Sequence, residues 1–432
     1  MTARLFTRSA ESRDQLRRLS VLIVTSCVDM IGFAIVLPLL PFYALDLAGT
    51  PEQIGFILAS YSIAQLLFAP IWGRVSDRYG RRPALLIGLT ASAVAYVVFA
   101  LANSLWLLLA SRLVQGAGGG MTGVAQAYVA DTIKPADRAK ALGWLSAASS
   151  LGVMLGPVIG SVAARWGQMA PGFVAAALCL VNVYSAWRWL PESRVHHEPA
   201  RQPERKPIWH AAWTVVRHPN RPVSRFVWIY GAGMLGFSAM TSILSLYFDK
   251  EFGITEREIG YVFLYVGALS LIMRSLLLGP IIQRIGETGA MRMGTVALTL
   301  GLVLYPTTHS LWVLALIIPL VPIGTALLFP ATTSLMSRVT DRRELGVTMG
   351  VAQTFAGIAR VVAPILATSA FQRFGSPSPF FVAGGIVAMV GVLAFRIVAP
   401  AIPQPTPVEG ITVEGGSEVA ARAVPERGGG TQ

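Results

Sequence analysis

Apolar runs of about 20 residues, separated by short polar turns, fill most of the chain. A run of that length can cross the hydrocarbon core of a bilayer as an α-helix. Six runs occupy residues 19–44, 52–75, 82–102, 104–130, 138–164 and 170–190, and six more occupy 224–247, 257–283, 290–308, 311–337, 345–371 and 379–398. The sequence therefore predicts twelve transmembrane helices.

The pattern predicts an all-α integral membrane fold of two six-helix halves. It divides the chain into a cytoplasmic segment (1–18), a first bundle (19–190), a central cytoplasmic linker (191–223), a second bundle (224–398) and a tail (399–432). The tail has Pro, Gly and isolated charges without an apolar period, which is typical of disorder. In the linker, residues 207–218 form either an amphipathic interfacial helix or a plain connection with scattered tryptophans.

Composition excludes a soluble protein and a nucleic-acid binder. Only 13% of the residues are charged and 54% are hydrophobic, whereas soluble domains have about 25% charged residues. The bilayer must therefore solvate most of the surface. The net charge of +13 comes from short loops without interleaved aromatic residues, so it does not indicate nucleic acid. Cys27 and Cys179 lie in separate runs and the five histidines form no cluster, so no metal site or cofactor is predicted.

Basic residues predict the orientation of the chain. If the N-terminus is cytoplasmic, only Arg165, Lys250, Arg257 and Arg373 fall in outside loops, and most of the 35 Lys and Arg residues fall in cytoplasmic ones. Cytoplasmic loops carry such an excess of positive charge. We therefore expect a multi-pass protein of the inner (plasma) membrane with both termini in the cytoplasm.

The two halves repeat one another. Gly73, Asp77, Arg78 and Gly80 recur 206 positions later as Gly279, Gln283, Arg284 and Gly286, and Gly143 and Pro157 recur 207 positions later as Gly350 and Pro364. Duplicated halves of a membrane protein place a binding site between them, near the bilayer midplane.

The turn after the second run has the most specific motif. It reads Gly73-Arg74-Val75-Ser76-Asp77-Arg78-Tyr79-Gly80-Arg81-Arg82-Pro83. A topological anchor would account for the arginines, but it would account for neither glycine nor Asp77. The turn resembles the signature of the major facilitator superfamily in this loop, Gly-x-x-x-Asp-Arg-x-Gly-Arg-Arg.

The resemblance implies that this turn is a cytoplasmic gate. Its residues are Gly73, Asp77, Arg78, Gly80, Arg81 and Arg82. Asp77 is expected to face the positive N-terminal end of the eleventh run, and Arg81 is expected to pair with Asp131. Because Gln283 stands at the position of Asp77 in the second copy, only the first copy should act as a latch.

The fifth run contains small residues four apart. Gly152, Gly156 and Gly160 permit close helix packing, which is the simplest interpretation of such a spacing. With Pro157 after Gly156, the run also resembles a motif that is found in antiporters of the superfamily and rarely in symporters. Ser161 stands where that motif usually ends in glycine.

Four ionisable side chains are predicted to lie deep in the membrane: Asp29, Arg112, Arg274 and Arg360. Such residues are functional candidates by default. Two alternatives remain open, namely that Asp29 is a structural partner of a buried arginine and that Arg112 extends to the outer interface. The first run, with Asp29, Gly32, Pro38 and Pro41, resembles that of bacterial tetracycline and multidrug proton antiporters.

The resemblance implies a proton-coupled antiporter, active as a monomer, that exports small amphiphilic compounds or drugs by alternating access. Asp29 would carry the proton, and Arg112 would assist the coupling. Ala95 and Leu298 stand where tetracycline pumps have acids, so metal-chelated tetracycline is not expected. Three deep arginines against one acid favour an acidic or electron-rich substrate, whereas the multidrug resemblance favours cations or neutral drugs.

Other functions remain as alternatives. An organic-anion or metabolite exchanger, or an uptake carrier of the same superfamily, is the nearest one. An intramembrane enzyme is more remote, because no run contains a histidine or a pair of carboxylates. A sensor that keeps the fold without transporting is the other remote alternative.

Overall fold

The computed structural model describes residues 2–119, 121–193, 208–341 and 344–396, which are helical and contain no β-strand. The helices of the first half are α1 (Thr2–Val36), α2 (Leu40–Asp46), α3 (Pro51–Tyr79), α4 (Arg81–Ala100), α5 (Leu105–Gly118), α6 (Met121–Thr132), α7 (Pro135–Ala164) and α8 (Ala170–Trp189). After α9 (Ile208–Arg217) come α10 (Pro222–Phe252), α11 (Ile259–Ile272), α12 (Leu278–Leu304), α13 (Leu311–Ile317), α14 (Leu320–Val339), α15 (Leu345–Phe374) and α16 (Ser378–Phe395). The predicted tail and residues 194–207 of the linker lie outside the described residues.

Ten helical segments of the described chain are long and apolar enough to cross a membrane, judged by length and composition. One of them, Ile259–Thr307, has 49 residues and covers most of the eighth and the ninth predicted runs. The fourth predicted run corresponds to α5 and α6, which have 14 and 12 residues and are each too short to be counted alone. In these two regions the count of twelve remains a prediction.

Local sequence signals begin and end the helices. Thr50 and Gln53 form a capping box at the start of α3, where Pro51 occupies the first turn. At the other end of α3, Gly80 adopts a φ of 108°, a conformation that glycine tolerates without strain. The chain then turns directly into α4. Gly286 adopts a φ of 71° within α12 and makes the equivalent turn in the second half.

We name the two sides of the helical layer by their turns. The motif face holds the turn at Gly80, the turn between α6 and α7, the segment with α9 and the turn at Gly286. The motif face also holds the junction of α14 and α15. The opposite face holds the turns that follow α2, α4, α7, α10 and α15 and the turn that precedes α13. Because successive spans alternate in direction, each half presents loops on both faces.

The two halves pack through two helix pairs, α3 with α15 and α7 with α11. These pairs are related by the internal repeat. A Cβ added to Gly55 in α3 would meet the side chain of Thr368, and one added to Gly260 at the start of α11 would lie 2.7 Å from the Ser161 hydroxyl oxygen. Glycine therefore permits both close crossings. Through these contacts, Met1–Ile397 forms one compact unit.

The hydrogen bonds that join the halves cluster near the opposite face. Ser161 donates to the Glu256 carbonyl at 2.6 Å and accepts from the Gly260 amide at 2.9 Å. Further links are Ser245 to the Pro38 carbonyl (2.8 Å), Arg165 to the Tyr261 hydroxyl (3.2 Å), the Glu52 amide to Gln372 (3.0 Å) and the Arg373–Glu52 ion pair (2.9 Å).

Three glycines near the motif face have open space beside them. A Cβ added to Gly73, Gly279 or Gly346 would have no heavy atom within 4 Å. Among the described residues, the hydrogen bonds and the ion pair that join the halves therefore lie near the opposite face, and we interpret the motif face as the more open one.

Candidate functional site

Asp29 lies in α1 and lines a recess inside the first half. The recess is formed by α1, α4, α6 and α7, and its other lining residues are Thr25, Ser26, Met30, Leu85, Leu89, Met121, Thr122, Ala125, Leu145 and Ser149. In the part of the chain that the structure describes, Asp29 forms no ion pair and belongs to no group of three or more side chains that could hold a metal ion. The alternative that Asp29 is the ion-pair partner of a buried arginine is therefore not supported.

Arg112 is buried in α5, with only 2% of its surface exposed. Its guanidinium carbon lies 5.4 Å from the centre of the Phe99 ring, and its Nε has no hydrogen-bond partner among the described residues. The alternative that Arg112 extends to the outer interface is wrong, because the side chain stays inside the bundle. A buried cation without an acidic partner is costly, which favours a functional role for Arg112.

Two tyrosines, the half-buried Tyr61 and the buried Tyr96, connect the ionisable residues. Electrostatic interactions link the Tyr61 hydroxyl with Asp29, Arg112 and Arg360, and link Tyr96 with Asp29 and Arg112. Three of the four predicted deep charges are therefore within electrostatic range of Tyr61, and one of them, Arg360, comes from the other half.

The tyrosine positions are held by neighbouring residues of the first half. Gln115 donates to the Tyr96 hydroxyl at 2.8 Å, and Gln65 donates to the Tyr61 hydroxyl at 3.2 Å. A Cβ on Gly32 would lie 3.0 Å from the Tyr96 ring, so this glycine makes room for it. Sequence reasoning missed both tyrosines, and the available signal was an aromatic hydroxyl inside an apolar run.

Arg274 and Arg360 come from the second half. Arg274 lies in a π-helical turn, Met273–Leu277, which joins α11 to α12, and π turns are frequent at functional sites. Arg360 lies near the middle of α15. Both side chains are exposed, and neither forms an ion pair or hydrogen bond with a described residue.

An aromatic and amide surface lies in the same half. Tyr230, which interacts electrostatically with Arg274, packs edge-on against Phe329 with a ring separation of 5.3 Å. Trp228 packs edge-on against Phe355 at 5.2 Å, and Gln353 donates to the Tyr230 hydroxyl at 3.4 Å. This surface can receive an apolar or aromatic group next to a guanidinium.

The motif turn is organised around Arg81. Its guanidinium forms ion pairs with Asp131 at 2.9 Å and with Asp77 at 2.5 Å, and it donates to Ser76 at 2.7 Å. The expected Arg81–Asp131 pair is therefore present. The side chain of Asp77 is 66% exposed and turned toward Arg81, so the expected contact with the start of α15 is absent from the described contacts in this conformation. Arg82 donates to the Trp187 carbonyl.

Glu192 supports the same turn and was not predicted. Its carboxylate accepts from the backbone amide of Arg81 at 2.9 Å and from that of Arg82 at 3.1 Å. These amides belong to the first turn of α4, where an acidic group satisfies free N–H groups and complements the helix dipole. The signal available in the sequence was an acid directly after the sixth apolar run.

The second half has the equivalent ion pair with its charges exchanged. Glu287 pairs with Arg338 at 2.7 Å and accepts from Ser334 at 2.8 Å. Glu287 and Arg338 stand 206 and 207 positions after Arg81 and Asp131, the offsets of the internal repeat. The motif-face turn is therefore stabilised in both halves by one carboxylate and one guanidinium.

The glycines of the fifth run face α1. A Cβ on Gly152 would lie 2.8 Å from the Met30 Cβ, one on Gly156 would lie 2.6 Å from the Ala34 Cβ, and one on Gly160 would lie 2.8 Å from the Ile35 carbonyl oxygen. The stripe thus brings α7 against the segment that carries Asp29. Pro157 and Ser161 contact α11 of the other half instead.

Two repeated helical halves, joined near one face and with ionisable residues inside their apolar helices, are typical of a multi-pass membrane protein of the secondary-transporter class. The sequence model of the Major Facilitator Superfamily matches residues 22–321 and 230–425, and the chain belongs to this family. It is therefore a membrane transporter of small molecules and not an enzyme.

Curated relatives and solved structures agree with this family. The chain is 26% identical to the tetracycline resistance protein, class B, of Escherichia coli over 80% of its own length and 86% of that protein. It is 28% identical to multidrug resistance protein 1 of Bacillus subtilis (strain 168), over 89% of the chain and 97% of that protein. The crystal structure of the human organic anion transporter MFSD10 has the same fold, with a TM-score of 0.64 and 24% identity over 88% of this chain and 99% of that one.

Proposed function

We propose that the chain is a proton-coupled antiporter of the inner membrane that exports small amphiphilic compounds by alternating access, as a monomer. The observation that carries this proposal is Asp29. It is the only acid deep in an apolar run, it lines a recess and it forms no ion pair among the described residues. An acid that is free of structural pairing can exchange a proton during the transport cycle.

The charges around Tyr61 provide the coupling. Asp29, Arg112 and Arg360 each interact electrostatically with Tyr61, and proton binding removes the charge of Asp29 from this group. Proton binding therefore alters the balance of charge between the two halves. A substrate that binds at the same charged residues competes with the proton. Entry of a proton and exit of a substrate therefore alternate.

We place the motif face in the cytoplasm, following the distribution of basic residues. The conformation is then inward-open. When the motif face closes, the start of α15 approaches the turn at Gly80, and Asp77 can leave Arg81 for the positive end of that helix. The names of the curated relatives, tetracycline and multidrug resistance proteins, support export as the direction.

The substrate is proposed to be acidic or electron-rich. Arg274 and Arg360 have no carboxylate partner among the described residues, and Arg274 interacts with Tyr230 of the aromatic surface. An anionic group on a substrate that enters between the halves can pair with an unpaired guanidinium. The same observation favours the second candidate, an organic-anion exchanger, and the name of MFSD10 as an organic anion transporter supports it.

The proposal is tested with Asp29→Asn in proteoliposomes, after a drug-susceptibility and accumulation panel in an efflux-deficient host has identified a substrate. The amide keeps the shape of the side chain and removes its titration. We expect binding to persist and gradient-driven export to be lost. Asp137→Asn, a change at an exposed acid of the motif face, is the matched control. Export by Asp29→Asn at the wild-type rate would show that Asp29 is not the proton site.

A further inference from the structure

Two buried polar groups beside the recess have unused hydrogen-bonding capacity. Thr25 is 3% exposed and Asn182, in α8, is 2% exposed. The Asn182 amide donates to the Thr25 carbonyl at 2.9 Å. The Thr25 hydroxyl and the Asn182 Oδ1 have no hydrogen-bond partner among the described protein atoms. Buried polar atoms without a protein partner are usually satisfied by water that bridges several such groups.

These groups adjoin Asp29. Thr25 precedes Asp29 by one helical turn, so both side chains lie on the same face of α1. Thr25, Ser26, Thr122 and Ser149 bring hydroxyl groups from α1, α6 and α7 to the recess. A hydroxyl donates one hydrogen bond and accepts others, which is what relay of a proton between waters requires.

The recess also points toward the motif face. Leu85, one of its lining residues, lies four residues after Arg81 at the motif-face end of α4. At 1.5 Å per residue this is about 6 Å of helix. All the lining residues belong to the first half, whereas the opening that a substrate would use lies between the halves.

We propose that the recess is a water-binding site that conducts the proton between Asp29 and the cytoplasmic solvent, apart from the path of the substrate. This inference rests on the proposed function. In the releasing direction, the O–H bond of the protonated Asp29 carboxyl breaks and a recess water gains the proton. The hydroxyl groups of the recess then each accept one proton and give up another until a proton reaches bulk water. No oxidant or reductant takes part.

The test follows protonation of Asp29 directly and needs no transported substrate. Purified protein in lipid nanodiscs receives a laser-triggered pH jump while infrared absorption of the carboxyl group is recorded. The band of Asp29 is identified by its loss in Asp29→Asn. Thr25→Val and Asn182→Leu remove the polar atoms with little change of shape. Thr90→Val is the control, because its hydroxyl is bonded to the Leu86 carbonyl on the exposed side of α4.

We expect each recess variant to slow protonation about fivefold, the effect of losing one typical hydrogen bond. The double variant should be slower still, and the slowing should increase in deuterated water. Thr90→Val should match the wild type. The isotope dependence distinguishes proton conduction from a structural disturbance of α1.

Milder variants keep the inference testable if a buried substitution impairs folding. Thr25→Ser retains the hydroxyl and should keep the wild-type rate, and Ser26→Ala, at a half-buried position of the recess, should slow it. Unchanged rates in all the variants that lack a polar atom, with Asp29 still titrating, would overturn the recess alone. Absence of an Asp29 band at every pH would overturn both the recess and Asp29 as the proton site.

Discussion

Ser161 joins the two halves near the opposite face, and its removal should favour opening there. The side chain is 1% exposed. Its oxygen donates to the Glu256 carbonyl and accepts from the Gly260 amide, both across the boundary between the halves. Ser161→Ala deletes both hydrogen bonds and leaves the Gly260 N–H without its partner. When the halves separate, water can bond to these groups. The loss of the two hydrogen bonds therefore destabilises the closed arrangement relative to the open one.

The expected size follows from the two bonds. A typical intramolecular hydrogen bond contributes about 1 kcal/mol net, and a buried donor left unpaired costs about 1–3 kcal/mol. A total of about 2 kcal/mol changes the ratio of closed to open molecules roughly 30-fold. By comparison, the Arg373–Glu52 ion pair is partly exposed, and Glu52→Gln should change the ratio by at most about fivefold.

Distances between spin labels on the opposite face measure this ratio. Labels at Asn103 and Ser310, exposed positions in the first and second halves, are introduced after Cys27 and Cys179 have been replaced. Ser161→Ala should enlarge the long-distance population. Ser111→Ala is the matched control, since Ser111 is also 1% exposed but donates to Leu108 in its own helix. Equal distributions in both variants would refute the role of Ser161 as a lock.

Three further predictions concern charge and topology. Arg360→Gln should weaken binding of the anion tetraphenylborate about tenfold, the order expected for a contact with a charged group. Binding of the similarly shaped cation tetraphenylphosphonium should be unaffected. If the wild type bound the cation more tightly than the anion, the result would contradict an anionic substrate. Asp77→Asn should enlarge the population that is open at the motif face, because it removes an interaction with a helix end that contributes about 0.3–2 kcal/mol. Distances between spin labels at Tyr79 and Asp341 measure this population, and no change would mean that the turn is only a topological anchor. A single cysteine at Trp166 should react with an impermeant thiol reagent in intact cells and one at Tyr79 should not, and the reverse result would invert the assigned orientation.

The fold could be predicted because lipid imposes a simple rule on the sequence. Each span must be apolar over its whole length and each turn polar, so most boundaries were visible without tertiary information. The repeat also predicted that Gly80 and Gly286 make equivalent turns, which their positive φ angles show. The division of the fourth run into α5 and α6 was not predicted, because hydropathy does not report a break between two apolar helices.

The site was less accessible to such reasoning. Asp29 and Arg112 stood out because charges are rare in apolar runs, but Tyr61 and Tyr96 did not, since tyrosine is compatible with both packing and function. The pairing of Glu287 with Arg338 was hidden because a search for like residues in the two halves does not detect a pair whose charges are exchanged. Contacts between helices that are distant in the sequence can be identified only in the packed structure.

The π turn at Arg274 records an insertion. Gly55 and Gly260, which make equivalent crossings, are 205 positions apart, whereas Gly73 and Gly279 are 206 apart. One additional residue therefore entered the second copy between these points, and the π turn Met273–Leu277 lies there. Because the wider turn absorbs that residue locally, both ends of the helix keep the register of the duplicated ancestor. The second half thus has a π turn that carries the Arg274 guanidinium at mid-depth. At the equivalent place in the first half, α3 continues as a regular helix through apolar residues.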